Sequence, residues 1–156
     1  MIVESVNASA AKQNINPLIL MAMISQESNG DPLAVRASEN AVGLLQIRLG
    51  AAKDAGIELI DRTDPAKSIE AGARFFNQNL KRIQKLGVTV QVAKALAIIS
   101  HNTGPTVMSK AIRDTKKAGE ELTFNNIRNR LPDSAKRYGE SIGELIGILR
   151  RGRVVR

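Results

Sequence analysis

The chain has 156 residues, a hydrophobic fraction of 43% and no cysteine, which fits one domain whose core stands without disulfides and excludes thiolate chemistry. With a single histidine as well, it lacks the nitrogen and sulfur ligands of most zinc sites, so a zinc amidase or peptidase is disfavoured and no metal or other cofactor is expected. The net charge of +8 points to an anionic partner such as nucleic acid, a membrane surface or a bacterial envelope, or serves solubility alone.

In chain order, residues 3 to 13 read as a first helix, with Val3, Val6 and Ala10 at helical spacing. Asn16-Pro17 restarts the chain, since Asn caps and Pro suits the first helical position. The second helix runs to Ser28 and is apolar almost all round, so it is expected to be central and buried. Gly30 is a natural stop. Residues 31 to 42 form a loop of a length that tends to be functional. Gly43 to Ile47 is expected to start a short helix, and Gly50 to Ala55 is helical up to Gly56. Asp64-Pro65 opens the longest predicted helix, to Leu86, with a stripe of Ile69, Ala73, Phe76, Leu80 and Ile83. Gly87 ends it. Thr89 is expected to cap the next helix, which faces Val92, Leu96 and Ile99 inward and breaks at Gly104-Pro105. Thr106 to Ala118 is charged and amphipathic. Thr123 or Asn125 starts a short helix to Leu131. Pro132-Asp133-Ser134 starts the last helix, with Ile142, Leu145, Ile146 and Leu149 on its apolar face.

One stretch stands out, Ile24 to Gln46. An apolar helix leads straight into Ser25-Gln26-Glu27-Ser28 and then the turn Asn29-Gly30-Asp31-Pro32. A carboxylate at the mouth of an apolar helix is poorly solvated, and desolvation disfavours its charged form, the condition under which a Glu serves as a general acid near neutral pH. The plainer reading is a Glu frayed into solvent at a helix end. Gln46 has its own plain reading, a half-buried amide bonded to backbone.

Four segments together resemble the lytic transglycosylase family of the lysozyme superfamily. They are Glu27-Ser28, Gly43-Leu44-Leu45-Gln46, Ser100-His101-Asn102-Thr103-Gly104, and Tyr138 after Leu131-Pro132. They fall in that family's order and cover residues 11 to 146. The resemblance implies an all-α, lysozyme-like fold: a compact bundle of seven to eight helices around a buried central helix, with room for a small β-hairpin in the loop after Gly30 that the sequence itself does not show. It implies a domain over residues 1–149, and the four arginines among the last seven residues mark 150–156 as a basic tail. It implies Glu27 as the catalytic residue, with Ser28, Ser38, Gln46, His101, Asn102 and Tyr138 toward the substrate. His101 stands where the family has Tyr, Ser38 lies beside the position (Ala37) where it often has Ser, Asn40 replaces a Gly, and Leu49 a Pro.

The resemblance also implies the reaction, cleavage of the bond between N-acetylmuramic acid and N-acetylglucosamine in peptidoglycan. Most glycosidases need two carboxylates. Asp31, Glu39 and Asp54 are the nearest in sequence to Glu27, and Ala37 and Arg48 occupy the positions where goose-type lysozymes carry aspartates. One carboxylate suffices when the muramic acid's own hydroxymethyl group closes a 1,6-anhydro ring. The N-terminus shows no signal peptide and no apolar run reaches the roughly 18 residues of a membrane span. With a basic end, this looks like a phage endolysin for Gram-negative hosts, monomeric, made in the host cytoplasm and acting in the periplasm. Arg150, Arg151, Arg153 and Arg156 would touch an anionic outer membrane or lipopolysaccharide. The rivals are a hydrolytic lysozyme, a non-catalytic wall-binding module, and a nucleic-acid-binding protein. The last lacks aromatic stacking positions, so no nucleic acid is expected as a partner.

Overall fold

The computed structural model describes residues 1–154, with the backbone alone for 153 and 154. Among these residues, eight α-helices and one small hairpin make up the regular structure, with two short 3-10 segments. They group into two compact units, described residues 1–75 with 142–154, and residues 76–141.

In the first unit α1 (Ile2–Gln13) packs on α2 (Pro17–Ser28). The buried stripe of α1 is Val6, Ser9 and Ala10, while Val3 is 51% exposed. The expected stripe was thus one turn too long, because the first turn of the helix projects into solvent. At the start of α2 the Asn16 side chain accepts a hydrogen bond from the Leu18 amide, and Pro17 fills the first helical position. Leu18, Leu20, Ala22, Met23 and Ile24 of α2 are buried. Asn29, left-handed at φ 52°, closes the helix.

The loop that follows carries the hairpin. Strand β1 (Val35–Arg36) pairs antiparallel with β2 (Ala41–Val42), Val35 against Val42 and Arg36 against Ala41. A single 3-10 turn over Ala37–Glu39 joins them and ends on Asn40, also left-handed. Two-residue strands leave no alternation for a sequence to display, which is why the pattern was silent here.

Residues 43 to 47 are not the start of a helix. Val42 and Ile47 face each other across an isolated antiparallel bridge, and Gly43-Leu44-Leu45-Gln46 is the turn between them. The backbone decides this, with Gly43 at φ 84° and Gln46 at φ 46°, where no right-handed helix continues. A Cβ on Gly43 would stand 1.8 Å from the Arg62 carbonyl oxygen. Helix α3 (Leu49–Ala55) ends on left-handed Gly56, and a 3-10 segment, Leu59–Thr63, packs beside it.

Helix α4 (Pro65–Lys85) runs from the first unit into the second. Of the expected stripe Ile69, Ala73, Phe76 and Ile83 are buried and Leu80 is half-buried, while Ala71 and Phe75 are buried beside them. In the second unit α5 (Val90–Thr103), α6 (Pro105–Lys117) and α7 (Phe124–Arg128) pack on one another around Leu96, Ile99, Met108, Ile112 and Ile127. Thr123 caps α7, its hydroxyl accepting from the Asn126 amide. Helix α8 (Asp133–Val154) has 22 residues against 21 for α4, so it, and not α4, is the longest described. It continues without a break through Arg150 and Arg151.

Candidate active site

Glu27 sits in the last turn of α2. Its side chain is 6% exposed, and its carboxylate lies 3.7 Å from Nη1 of Arg36 on β1. A helix C-terminus disfavours negative charge, and the guanidinium opposite offsets that disadvantage. The same Nη1 lies 3.8 Å from Oε1 of Glu39, whose other oxygen is paired with Arg48. Glu27, Arg36, Glu39 and Arg48 therefore form one alternating chain of charge along the hairpin.

Ser28 fastens this arrangement to the next segment. Its hydroxyl lies 2.9 Å from the Leu44 carbonyl and 3.1 Å from the Ile24 carbonyl, and it accepts from the Gly30 amide at 3.2 Å. The end of α2 is thus stitched to the Gly43–Gln46 turn. Gln46 is 7% exposed, and its side-chain nitrogen donates to the Ala34 and Gly43 carbonyls, each at 3.0 Å. Both side chains spend donors on the backbone that frames Glu27. Ser38, in the 3-10 turn, is exposed. Glu27, Ser28, Ser38 and Gln46 all belong to the first unit.

His101, Asn102 and Tyr138 belong to the second. His101 and Asn102 occupy the last turns of α5, ahead of Gly104 at φ 86°. Tyr138 is 6% exposed on α8. Its neighbour Gly139 touches α5, since an added Cβ would meet Ile99 Cδ1 at 2.9 Å. The absence of a side chain there lets α8 lie close to the helix that carries His101.

Two residues escaped the sequence reading. Arg36 is one; its signal was a cation nine positions after Glu27, within the loop that carries the hairpin. Arg62 is the other. It is 8% exposed, and its guanidinium donates to the Asn40, Ile47 and Leu59 carbonyls at 2.8, 3.0 and 3.1 Å. It holds both ends of the segment that contains the Gly43–Gln46 turn, and nothing local in Ile60-Asp61-Arg62 announced a buried cation.

Of the other carboxylates near Glu27 in sequence, Asp31 accepts from the Leu33 amide at 2.8 Å, and Glu39 is held between two arginines. Among the described residues no group of three or more His, Asp or Glu is arranged to hold a metal ion, and no helix is long and apolar enough to cross a membrane. Arg150 and Arg151 are exposed on α8. The Arg153 side chain and Arg156 lie outside the described residues.

The Transglycosylase SLT domain family matches residues 4–124. A transglycosylase of Enterobacteria phage PRD1 is 24% identical over 145 residues, 80% of this chain and 54% of that protein. The membrane-bound lytic murein transglycosylase F of Maricaulis maris is 34% identical over 133 residues, 80% of this chain and 28% of that protein. The protein of that name from Photobacterium profundum is 30% identical, covering 73% of this chain and 22% of its own. The chain thus spans about half the length of the phage relative and less than a third of the membrane-bound ones. A solved structure, an inactive mutant of the lytic transglycosylase Slt from Pseudomonas aeruginosa, matches with a TM-score of 0.72 at 20% identity, over 93% of this chain and 23% of that one. At that identity the likeness concerns the fold.

Proposed function

The chain belongs to the Transglycosylase SLT domain family, and from that premise we propose that it is a peptidoglycan lytic transglycosylase in which Glu27 acts first as acid and then as base. The observation that carries the reading is the Glu27 carboxylate, 6% exposed at the end of an apolar helix and framed by the Gly43–Gln46 turn through Ser28. Glu27 protonates the glycosidic oxygen between N-acetylmuramic acid and N-acetylglucosamine. The bond from the muramic anomeric carbon to that oxygen breaks, and the N-acetyl group stabilises the developing positive charge. Glu27, now a carboxylate, takes the proton of the muramic hydroxymethyl group as its oxygen closes on the anomeric carbon. The product is a 1,6-anhydro end, no water is consumed, and Glu27 recovers its proton.

In this reading Ser38, His101, Asn102 and Tyr138 contact the glycan, while Ser28 and Gln46 act toward it through the backbone they hold. Glu39 stands at the solvent edge, 36% exposed against 6% for Glu27, which supports a one-carboxylate route over a two-carboxylate hydrolysis. The phage relative supports a setting in phage lysis of Gram-negative bacteria, with action at the wall and with Arg150 and Arg151 toward the anionic envelope.

The test is mass spectrometry of fragments released from purified Gram-negative peptidoglycan. Wild type is expected to release fragments one water lighter than hydrolysis products. Glu27→Gln should lose activity by at least about a hundredfold. Reducing muramic ends would make the protein a hydrolase, and undiminished release by Glu27→Gln would remove Glu27 from the chemistry.

A further inference from the structure

The positive charge of the chain is unevenly placed. Residues 76–141 hold 12 of the 23 Lys and Arg but five of the 15 Asp and Glu, so that unit alone carries +7 of the net +8. The rest of the chain, its C-terminal arginines included, nets +1.

Within the unit the acids are largely engaged. Asp114 pairs with Lys110, Glu120 with Arg130, Asp133 with Lys136, and Glu140 with Arg128. The surplus gathers where α4 and α6 end together. Lys116 Nζ donates to the Leu86 carbonyl at 3.2 Å and so ties the end of α6 to the end of α4. Lys81 and Lys85 lie one turn apart on that end of α4. Arg113 and Lys117 lie one turn apart on α6. All four are exposed and have no ion pair among the described residues. Lysines in a last helical turn answer the macrodipole, which accounts for Lys85, Lys116 and Lys117. It does not account for Lys81 or Arg113, which lie further in.

The surroundings narrow the kind of anion. Single-stranded nucleic acid asks for several exposed aromatics among the cations, but of this unit's three Phe76 and Tyr138 are buried and Phe124, at the start of α7, is half-buried. A membrane surface asks for an exposed apolar face, but Met108, Ala111 and Ile112 of α6 are turned into the core. What fits is a polymer with spaced carboxylates. We propose that the joined ends of α4 and α6 form a docking surface for the stem-peptide carboxylates of peptidoglycan, remote in sequence from Glu27. The proposal rests on peptidoglycan being the substrate. The surface draws the enzyme to the wall by charge and leaves bond cleavage to the Glu27 site.

The experiment is co-sedimentation of the full chain carrying Glu27→Gln with intact sacculi and with sacculi whose carboxylates are converted to amides. Binding to the amidated sacculi is expected to fall by at least about tenfold. So is binding of the same chain with Lys81→Gln, Lys85→Gln, Arg113→Gln and Lys117→Gln added. These four changes, placed in the chain with Glu27 intact, should leave turnover of soluble, peptide-free glycan strands as in wild type. Equal binding to native and amidated sacculi overturns the proposal without recourse to any variant. So does loss of binding to phosphatidylglycerol vesicles or duplex DNA on the fourfold substitution while sacculus binding persists. Should wild type bind sacculi through these cations yet release nothing from glycan strands, the docking surface stands and the enzymatic reading falls.

Discussion

The Arg36 guanidinium and the Glu27 carboxylate are 3.7 Å apart, one 41% exposed and the other 6%. The acid is enclosed and its counter-charge stands at the solvent edge. Removing Arg36 leaves an enclosed carboxylate without that partner, so Arg36→Ala is expected to cost about 1 kcal/mol of stability. In a chain that already carries Glu27→Gln the same change should cost about half as much or less. Urea unfolding of the four proteins of this cycle gives the coupling. Strictly additive losses would mean that the pair contributes nothing.

Glu39 shares Arg36 with Glu27 and is also held by Arg48. If one carboxylate carries the chemistry, Glu39→Gln should keep the anhydro product and lose less than about tenfold in rate. A loss as deep as that of Glu27→Gln, read by the same fragment assay, would make Glu39 the second carboxylate of a hydrolase.

Gly43 combines φ 84° with a backbone oxygen, that of Arg62, 1.8 Å from where a Cβ would stand. Neither a rotamer change nor a small shift relieves a clash with backbone. Gly43→Ala is therefore expected to cost about 3 kcal/mol or more, seen as a fall in Tm. A Tm within a degree or two of wild type would show that the turn can be rebuilt.

Gly72 meets Leu45 in the same way from α4, with a Cβ 2.2 Å from Leu45 Cδ1. Here the neighbour is the tip of a flexible side chain. Gly72→Ala should cost about 1–3 kcal/mol by overpacking, and Leu45→Ala in the same chain should recover part of that loss. The order of effects, Gly43 above Gly72, is the point to check by urea midpoints.

Glu70 ties α4 to α1. The Lys12 ammonium, donating at 2.7 Å, holds its carboxyl below the ordinary value of 4.5, partial burial opposes this, and Arg74 reinforces it. Because folding lowers this pKa, the folded chain gives up the proton more readily than the unfolded one. The stability so gained is complete above pH 4.5 and is lost as pH falls through the lower folded value. Glu70→Gln should be destabilised relative to wild type at about pH 7, with the gap closing in acid. A gap that stays constant from about pH 7 down to about pH 3 would contradict this.

The cap at Asn16-Pro17, the end of α2 at Ser28, the stop at Gly56 and the stripe of α4 were all legible in the sequence. Each depends on a residue acting within its own turn, through a fixed φ, a local side-chain acceptor or a helical period, and such effects need no distant partner. The order of the four motifs likewise carried the family. The tertiary structure alone decided what depends on residues far apart meeting. It turned Gly43 to Ile47 from an expected helix start into a turn, because Arg62 holds the Asn40 and Ile47 carbonyls from across the fold. It made a hairpin of a loop whose strands are two residues each. It put Arg36 against Glu27. It also gathered the surplus lysines at the ends of two helices, where composition showed only a total. Local conformational preference is written residue by residue, whereas a charge or a carbonyl finds its long-range partner only once the chain has closed on itself.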